Sequence, residues 1–299
     1  MSRKIIGRSS NGNYEILFFS DGTKIRFNNE ATMKADFPES IDMKISNKCS
    51  GPKGFGPCEF CHEQSHPDGK FANLSHPLLD SLHPYTELAL GGGNVFEHPF
   101  LNSFLTRMKN QKVICNMTVH LDHFLDKYWD IRAFQEDGKI HGVGVSVNKA
   151  IDQDIIDKIK SVPNTVVHTI AGVMPQEGYE TLYDNNIKLL ILGYKMYGRG
   201  IKYFENSDIM DKIFDLRSNL KDMFQHFNLI SFDNLALKQL EVKEIVSPEV
   251  WEKCYMGDDG DYTMYLDMVE EKFSKSSVSD RIDINSNKIE DLFNQVRRK

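Results

Sequence analysis

Three cysteines lie close together in the first quarter of the chain, and their spacing suits metal binding. Cys49, Cys58 and Cys61 follow a C-x8-C-x2-C pattern and are three of the five cysteines in the sequence. Such a group could form a disulfide, hold a zinc ion with His62 or His66 as a fourth ligand, or hold an iron–sulfur cluster with one iron left open. Each chemistry makes a different demand on the rest of the chain.

The composition favours a cytoplasmic protein that uses its cysteines for metal. The first residues lack the apolar core of a signal peptide, and no apolar run is long enough to cross a bilayer, so we expect no membrane association. Thiols stay reduced in the cytoplasm, and an odd number of cysteines does not suit a disulfide framework. With 43 acidic and 36 basic residues, the chain also lacks the basic excess of a nucleic-acid binder.

A regular alternation of strand-like and helical segments begins at residue 41 and must position these cysteines. The strand-like runs read as apolar on both faces, as in a sheet covered by helices. Six strand–helix units predict a parallel α/β architecture. Because a complete eight-fold barrel needs roughly 250 residues, we expect a partial (β/α)6 TIM-like barrel. The six runs are 41–46, 86–91, 112–120, 142–148, 165–172 and 187–193.

Two further segments flank this core. Residues 1–36 contain two strand-like runs joined by Asp21-Gly22, a hairpin signal, and predict a small N-terminal β-hairpin appendage. We assign residues 37–205 to the partial barrel. Residues 206–299 begin with a long helical pattern and continue into turn-rich sequence, which predicts a C-terminal α/β extension.

Two motifs follow neighbouring strands of the predicted sheet. The cysteine loop comes after the first run, and Gly91, Gly92 and Gly93 end the second. The carboxyl ends of parallel strands meet at one edge, where α/β proteins hold their ligands. Glycines there let the backbone approach a ligand and leave amides free to bond it. A structural zinc loop requires no such second motif, whereas an open iron needs a partner ligand.

The thiol loop, which ends CEFC, and the glycine turn LALGGGNVF resemble the radical S-adenosylmethionine superfamily over roughly residues 40–200. The resemblance implies one [4Fe–4S] cluster held by Cys49, Cys58 and Cys61, with S-adenosylmethionine chelated to the open iron. In that family, one electron from a donor such as a flavodoxin or ferredoxin splits S-adenosylmethionine, and the resulting 5′-deoxyadenosyl radical abstracts hydrogen from a substrate. Two features depart from the pattern: the first gap has eight residues instead of three, and Asn94 stands where the family often has glutamate.

The resemblance also implies which residues contact the cofactor. Phe60 would pack near the adenine, and the three glycines with Asn94 would meet the methionine amino group. Ser146 and Asn148 would contact the ribose. By strand position alone, Thr118 and His120 at the end of the third run would line the mouth, and Tyr194 and Lys195 at the end of the sixth would border the adenine.

The two remaining cysteines are too few for a second cluster. Cys115 lies in a strand run, and we expect it to be a buried small hydrophobe. Cys254 is either a packed thiol or a hydrogen donor to a substrate radical, a role that some epimerases of the family use.

For the substrate, the acidic balance weighs against nucleic acid, and we favour a peptide or protein side chain. A nucleotide or other small metabolite, and a glycyl-radical partner enzyme, are alternatives within the same chemistry. A zinc-stapled α/β binding protein without catalysis is the alternative of another class.

Overall fold

A computed structural model of the chain describes residues 4–30, 32–51 and 57–297. At the N-terminus, three antiparallel strands form a small sheet: β1 (Ile5–Asn11), β2 (Tyr14–Phe19) and β3 (Lys24–Phe27). The predicted hairpin is thus present as β2 and β3, with β1 added at its edge.

The main sheet has ten strands within the described residues, and it contains all six predicted runs. Seven strands follow one another in parallel from the first predicted run onwards, in chain order. They are β4 (Ser40–Ser46), β5 (Glu87–Gly92), β6 (Ile114–His120), β7 (Gly142–Ser146), β8 (Thr165–Ile170), β9 (Lys188–Leu192) and β10 (Leu229–Phe232). The α/β class and the parallel order are therefore confirmed.

The segment after residue 205 adds strands to both edges of this sheet. β10 pairs with β9 at one edge. At the other edge, β11 (Thr263–Asp267) runs parallel to β4, and two antiparallel strands follow it, β12 (Lys272–Ser274) and β13 (Ile282–Asp283). In the described part of the chain β10 and β13 are the edge strands, so the sheet does not close into a barrel.

Helices connect the strands and cover one face of the sheet. In the longest helix, the buried residues Ile209, Ile213, Leu216 and Leu220 recur every three or four positions, which is the apolar stripe of a helix packed on a core. No helix in the described ranges combines the length and apolar character needed to cross a bilayer. The α-helices are α1 (Leu101–Asn110), α2 (Leu121–Asp126), α3 (Tyr128–Glu136), α4 (Gln153–Lys160), α5 (Gln176–Glu180), α6 (Arg199–Glu205), α7 (Ile209–His226), α8 (Asn234–Gln239), α9 (Val242–Ile245), α10 (Pro248–Cys254) and α11 (Ile289–Arg297).

The two faces of the parallel strands differ, which corrects the expectation that both are apolar. On β6, Cys115, Met117 and Val119 are buried. The alternate residues of the same strand, among them Asn116 and Thr118, line a cavity. Side chains alternate between faces along a strand, so one face packs under the helices while the other forms the cavity wall. The polar residues of the cavity face, such as Asn116 and Thr118, can be read from the sequence as alternate positions of the strand.

Candidate functional site

The sheet curves around a cavity of about 950 Å³ whose lining comes from β4 to β11. The thiol loop and the glycine turn line it at the carboxyl ends of the strands. At the amino ends, the β2–β3 turn approaches the wall: the backbone oxygen of Ser20 accepts a hydrogen bond from Asn164 Nδ2 at 3.3 Å, and Lys24 Nζ lies 3.1 Å from Glu87 Oε2. The thiol loop and the glycine turn therefore lie at the end of the cavity opposite the small N-terminal sheet.

All three cysteines of the motif line this cavity and are half-buried free thiols. Their loop is held by backbone hydrogen bonds, from Cys49 N to His66 O at 2.9 Å and from Cys61 N to Cys58 O at 3.2 Å. Residues 52–56, in the long first gap, lie outside the described residues. All three thiols therefore line one cavity, although their side chains do not converge on a single point.

Arg199 fixes this loop from the start of α6. Its Nε donates to the carbonyl oxygen of Cys58 at 3.1 Å and its Nη2 to that of Ser65 at 2.9 Å. The Arg199 backbone N–H donates to Cys61 O at 3.2 Å. A guanidinium presents several donors in a rigid fork, so one side chain can hold two turns of the loop together.

Two of the thiols, Cys49 and Cys58, lie where their protonated form is favoured. Burial, together with the neighbouring Cys61 and Cys49, raises the pKa of Cys58 to about 11. Burial also raises the pKa of Cys49, although backbone N–H groups of Gly51 and Asn94 oppose the change. A bound metal would reverse this balance, because its positive charge stabilises thiolates. No three His, Cys, Asp or Glu side chains in the described ranges converge on a single ion.

The glycine turn brings the ends of β4 and β5 into close contact. A Cβ on Gly92 would lie 2.2 Å from Ser46 O, and one on Gly93 would lie 2.1 Å from Lys48 O. The φ of Gly92 is +107°, which side-chain-bearing residues rarely adopt. At Gly91, by contrast, a Cβ would meet nothing within 4 Å. Gly92 and Gly93 are therefore required for packing against the strand that leads to the thiols, and Gly91 faces open space.

Two expectations about this turn need correction. The amide of Gly93 donates to Ser46 O at 2.6 Å, so it is not free for a ligand. Asn94 does not line the cavity; its side-chain oxygen accepts from Phe96 N at 3.2 Å and its Nδ2 donates to Glu97 Oε1 at 3.2 Å. Asn94 is the N-cap of the 3₁₀ turn Val95–Glu97, a use of asparagine that competes with ligand binding.

The other predicted contacts lie on the cavity wall, except Tyr194. Thr118 and Ser146 line it, as do Phe60, His120, Asn148 and Lys195. Burial lowers the pKa of His120, whose Nδ1 accepts from Asp122 N at 3.1 Å.

Tyr194 lines a small adjoining pocket with Phe60 and Lys195. It is buried, and its hydroxyl donates to Gly200 O at 2.6 Å. Tyr194 thus packs the loop beside the cavity, whereas Lys195 lines the cavity itself.

Three charged residues with buried side chains, Lys44, Glu63 and Asp267, form with the partly exposed Arg281 what we call the charge network. Lys44 Nζ lies 2.9 Å from Glu63 Oε2 and 3.1 Å from Asp267 Oδ2. Arg281 Nη2 lies 3.2 Å from Glu63 Oε1, and Arg281 also pairs with Asp267. Tyr265 OH donates to Glu63 Oε1 at 2.8 Å. The network ties the residue two positions after Cys61 to β4, to β11 and to the segment before β13.

Neither remaining cysteine reaches the cavity. Cys115 is buried at 2% exposure, as expected. Cys254 is exposed at the end of α10, a helix that buries none of its residues, and it is not part of the cavity lining. The structure therefore does not place Cys254 where a hydrogen donor to a bound substrate would stand, and it does not bury the thiol in packing either.

Comparison with known proteins gives a match in fold only. No protein-family model and no curated protein matches the sequence. Solved structures of SuiB from Streptococcus suis do match. SuiB bound to precursor peptide SuiA aligns with a TM-score of 0.57 at 12% identity, over 87% of this chain and 65% of that one. SuiB bound to S-adenosylmethionine aligns at 0.55 and 12% identity, over 84% and 64%.

A further SuiB structure aligns with a TM-score of 0.57 at 11% identity, over 96% of this chain and 86% of that one. In the two complexes, the chain spans slightly less than two thirds of the SuiB chain. At such low identity the likeness establishes a shared α/β fold.

Proposed function

We propose that the chain is a radical S-adenosylmethionine enzyme of the partial (β/α)6 type, with one [4Fe–4S] cluster held by Cys49, Cys58 and Cys61. The observation that carries the proposal is the shared cavity: three half-buried thiols and the glycine turn line one space of about 950 Å³ at the carboxyl ends of parallel strands. A structural zinc staple would need neither the cavity nor the second motif.

The residues present fit such a group. Thiolates are the ligands of iron–sulfur clusters, and three of them leave one iron for a further ligand. Backbone N–H groups of Gly51 and Asn94 face the Cys49 sulfur and would stabilise its thiolate. When bound, the cluster and S-adenosylmethionine supply one-electron chemistry that removes hydrogen from a substrate, with a flavodoxin or ferredoxin as electron donor.

The protein's own part is binding and exclusion of water. Gly91 leaves room at the strand end, where a Cβ would project into open space beside the cofactor. Thr118, Ser146 and Lys195 line the wall above the thiols and would bind its polar groups. The Arg199 side chain, through its bonds to the carbonyl oxygens of Cys58 and Ser65, would hold the thiol loop in place while the cofactor exchanges.

For the substrate we propose a peptide. The support is the shared fold with SuiB, a structure of which contains a precursor peptide and another S-adenosylmethionine. The cavity volume of about 950 Å³ lies at the upper end of the range of about 300–1,000 Å³ for ligand sites, which favours room for a side chain beside the cofactor.

The test is anaerobic reconstitution of the full chain with iron and sulfide, followed by metal analysis and addition of S-adenosylmethionine with dithionite. We expect about four irons per chain and release of 5′-deoxyadenosine. Cys58→Ala should lose both, and Cys254→Ser, which changes an exposed thiol outside the cavity, should keep both. Stoichiometric zinc without 5′-deoxyadenosine, or full iron in Cys58→Ala, would contradict the proposal.

A further inference from the structure

One carboxylate faces the cavity without a partner. Asp42 lies on β4, in register with Ala89 of β5 on one side and Tyr265 of β11 on the other. Its side chain is exposed, and it lines the cavity. Across the described residues, the Asp42 side chain makes no hydrogen bond and no ion pair. It is therefore an unpaired acid on the cavity wall.

The other carboxylates of the wall have partners. Glu63 belongs to the charge network, where Lys44 and Arg281 neutralise it. Glu87 lies 3.1 Å from Lys24 Nζ. Asp42 therefore differs from these acids in having no basic side chain within ion-pair distance in the described part of the chain.

The charges that act on Asp42 from neighbouring elements leave the site negative. Lys195 faces it, but its Nζ donates to Ser277 Oγ at 2.8 Å. Asp233 and Asp259 also act on it, and both are negative. Of the charged groups that act on Asp42, two are acids and one is a base, and that base is hydrogen-bonded elsewhere.

Space lies next to the carboxylate. Its β5 neighbour is Ala89, and the following wall residue of that strand, Gly91, has no atom within 4 Å of where a Cβ would lie. Tyr265 on the other side directs its hydroxyl to Glu63. Desolvation by the surrounding cavity wall raises the pKa of Asp42, so an unpaired negative charge has a cost at this position. A cation placed in this space would remove that cost.

We infer that the cavity takes a substrate with a positively charged group, an alkylammonium or guanidinium, and that Asp42 binds this group. The inference rests on the proposed function, because it concerns the substrate of the same cavity. The substrate class it names is a peptide with a lysine or arginine side chain. The charged group would lie against β4 and β5, and the reacting carbon would lie nearer the thiol end.

The test uses two capped tripeptides that differ only in charge, acetyl-Gly-Lys-Gly-amide and acetyl-Gly-norleucine-Gly-amide. Each is titrated into the full chain as purified, at pH 7.5 and low salt, by ligand-observed NMR. We expect the lysine peptide to bind roughly tenfold to a hundredfold more tightly, as for a hydrogen bond to a charged group. Asp42→Asn should abolish the preference, and Asp42→Glu should restore part of it. Glu87→Gln, which removes a paired acid of the same wall, should keep it.

Equal affinity of the wild-type chain for the two peptides would overturn the inference, and this result needs no variant. A preference that survives in folded Asp42→Asn would overturn it as well. Circular dichroism and the thermal midpoint establish that each variant is folded. Because binding is measured without cluster or S-adenosylmethionine, this outcome is independent of the iron and 5′-deoxyadenosine assays that decide the proposed function.

Discussion

Replacing Glu63 by glutamine should destabilise the protein by about 3 kcal/mol at pH 7. The Glu63 side chain is only 7% exposed and contacts Lys44, Arg281 and Tyr265. Glutamine keeps the shape but removes the charge, so it leaves the buried Lys44 and the partly exposed Arg281 with Asp267 as their shared carboxylate. Removal of one partner from a buried ion pair is costly because the remaining charge is uncompensated.

The magnitude follows from the pKa. Burial alone would raise the pKa of Glu63, but Lys44, His62 and Arg281 outweigh it and lower the pKa to about 2 from an ordinary value of 4.5. That difference corresponds to about 3 kcal/mol in favour of the ionised carboxylate in the folded state. It agrees with the range of about 3–5 kcal/mol measured when buried pairs are broken in other proteins.

The sign of the pH dependence is also fixed. Because the folded pKa is depressed, the carboxylate stabilises the fold above pH 4.5, and this stabilisation is lost as the pH falls towards 2. Urea denaturation of wild type and Glu63→Gln should therefore differ by about 3 kcal/mol at pH 7 and by less than half of that at pH 3. Glu249→Gln, which removes an exposed pair with Lys253, should change stability by less than about 0.5 kcal/mol. A Glu63→Gln loss below about 1 kcal/mol at pH 7, or a loss that does not change with pH, would refute this account of the network.

Two further predictions concern the site itself. Gly92→Ala should lose about 2 kcal/mol or more of folding free energy, because the φ of Gly92 is +107° and the new Cβ would meet Ser46 O. Gly91→Ala should fold normally but bind S-adenosylmethionine more weakly, because its methyl group enters the cavity. Urea denaturation measures the loss of stability in Gly92→Ala, and equilibrium dialysis measures the weaker binding in Gly91→Ala. Equal stability of the two variants would contradict the different roles of the two glycines. Arg199→Lys should weaken the hold on the thiol loop by about 1–3 kcal/mol, because an ammonium cannot reproduce the guanidinium's two carbonyl contacts. The reconstituted variant should then lose iron to a chelator faster than wild type does. An unchanged rate would mean that Arg199 does not hold the thiol loop.

The parallel sheet could be predicted from sequence because its information is local. Each strand is a short apolar run bounded by turn residues, and six runs in a row repeat the pattern. The meeting of thiols and glycines was predictable for the same reason, since neighbouring parallel strands end at one edge. The pairing of Lys44 with Gly91 in the β4–β5 register brings the two motifs together.

What the sequence did not reveal depends on distant contacts. Glu63 and Arg281 are 218 positions apart, and neither belongs to a motif. Asn94 was assigned to the cofactor because a side chain that caps a turn and one that binds a ligand look alike in sequence. Cys254 was ambiguous because exposure is a tertiary property. Asp42 was weakly signalled in the sequence, since it is an acidic residue in a strand whose neighbours are apolar.

The charge network has a consequence for biosynthesis. Cys49, Cys58 and Cys61 leave the ribosome about 200 residues before Arg281 does, and at ~5–20 residues per second that interval lasts ten seconds or more. Until then β4 has no β11 beside it, and the thiol loop has no Arg281 to hold Glu63. The nascent chain therefore presents three open thiols to oxidants and stray metal ions. A metal cofactor held by these thiols would be loaded after translation, when the last strands have docked.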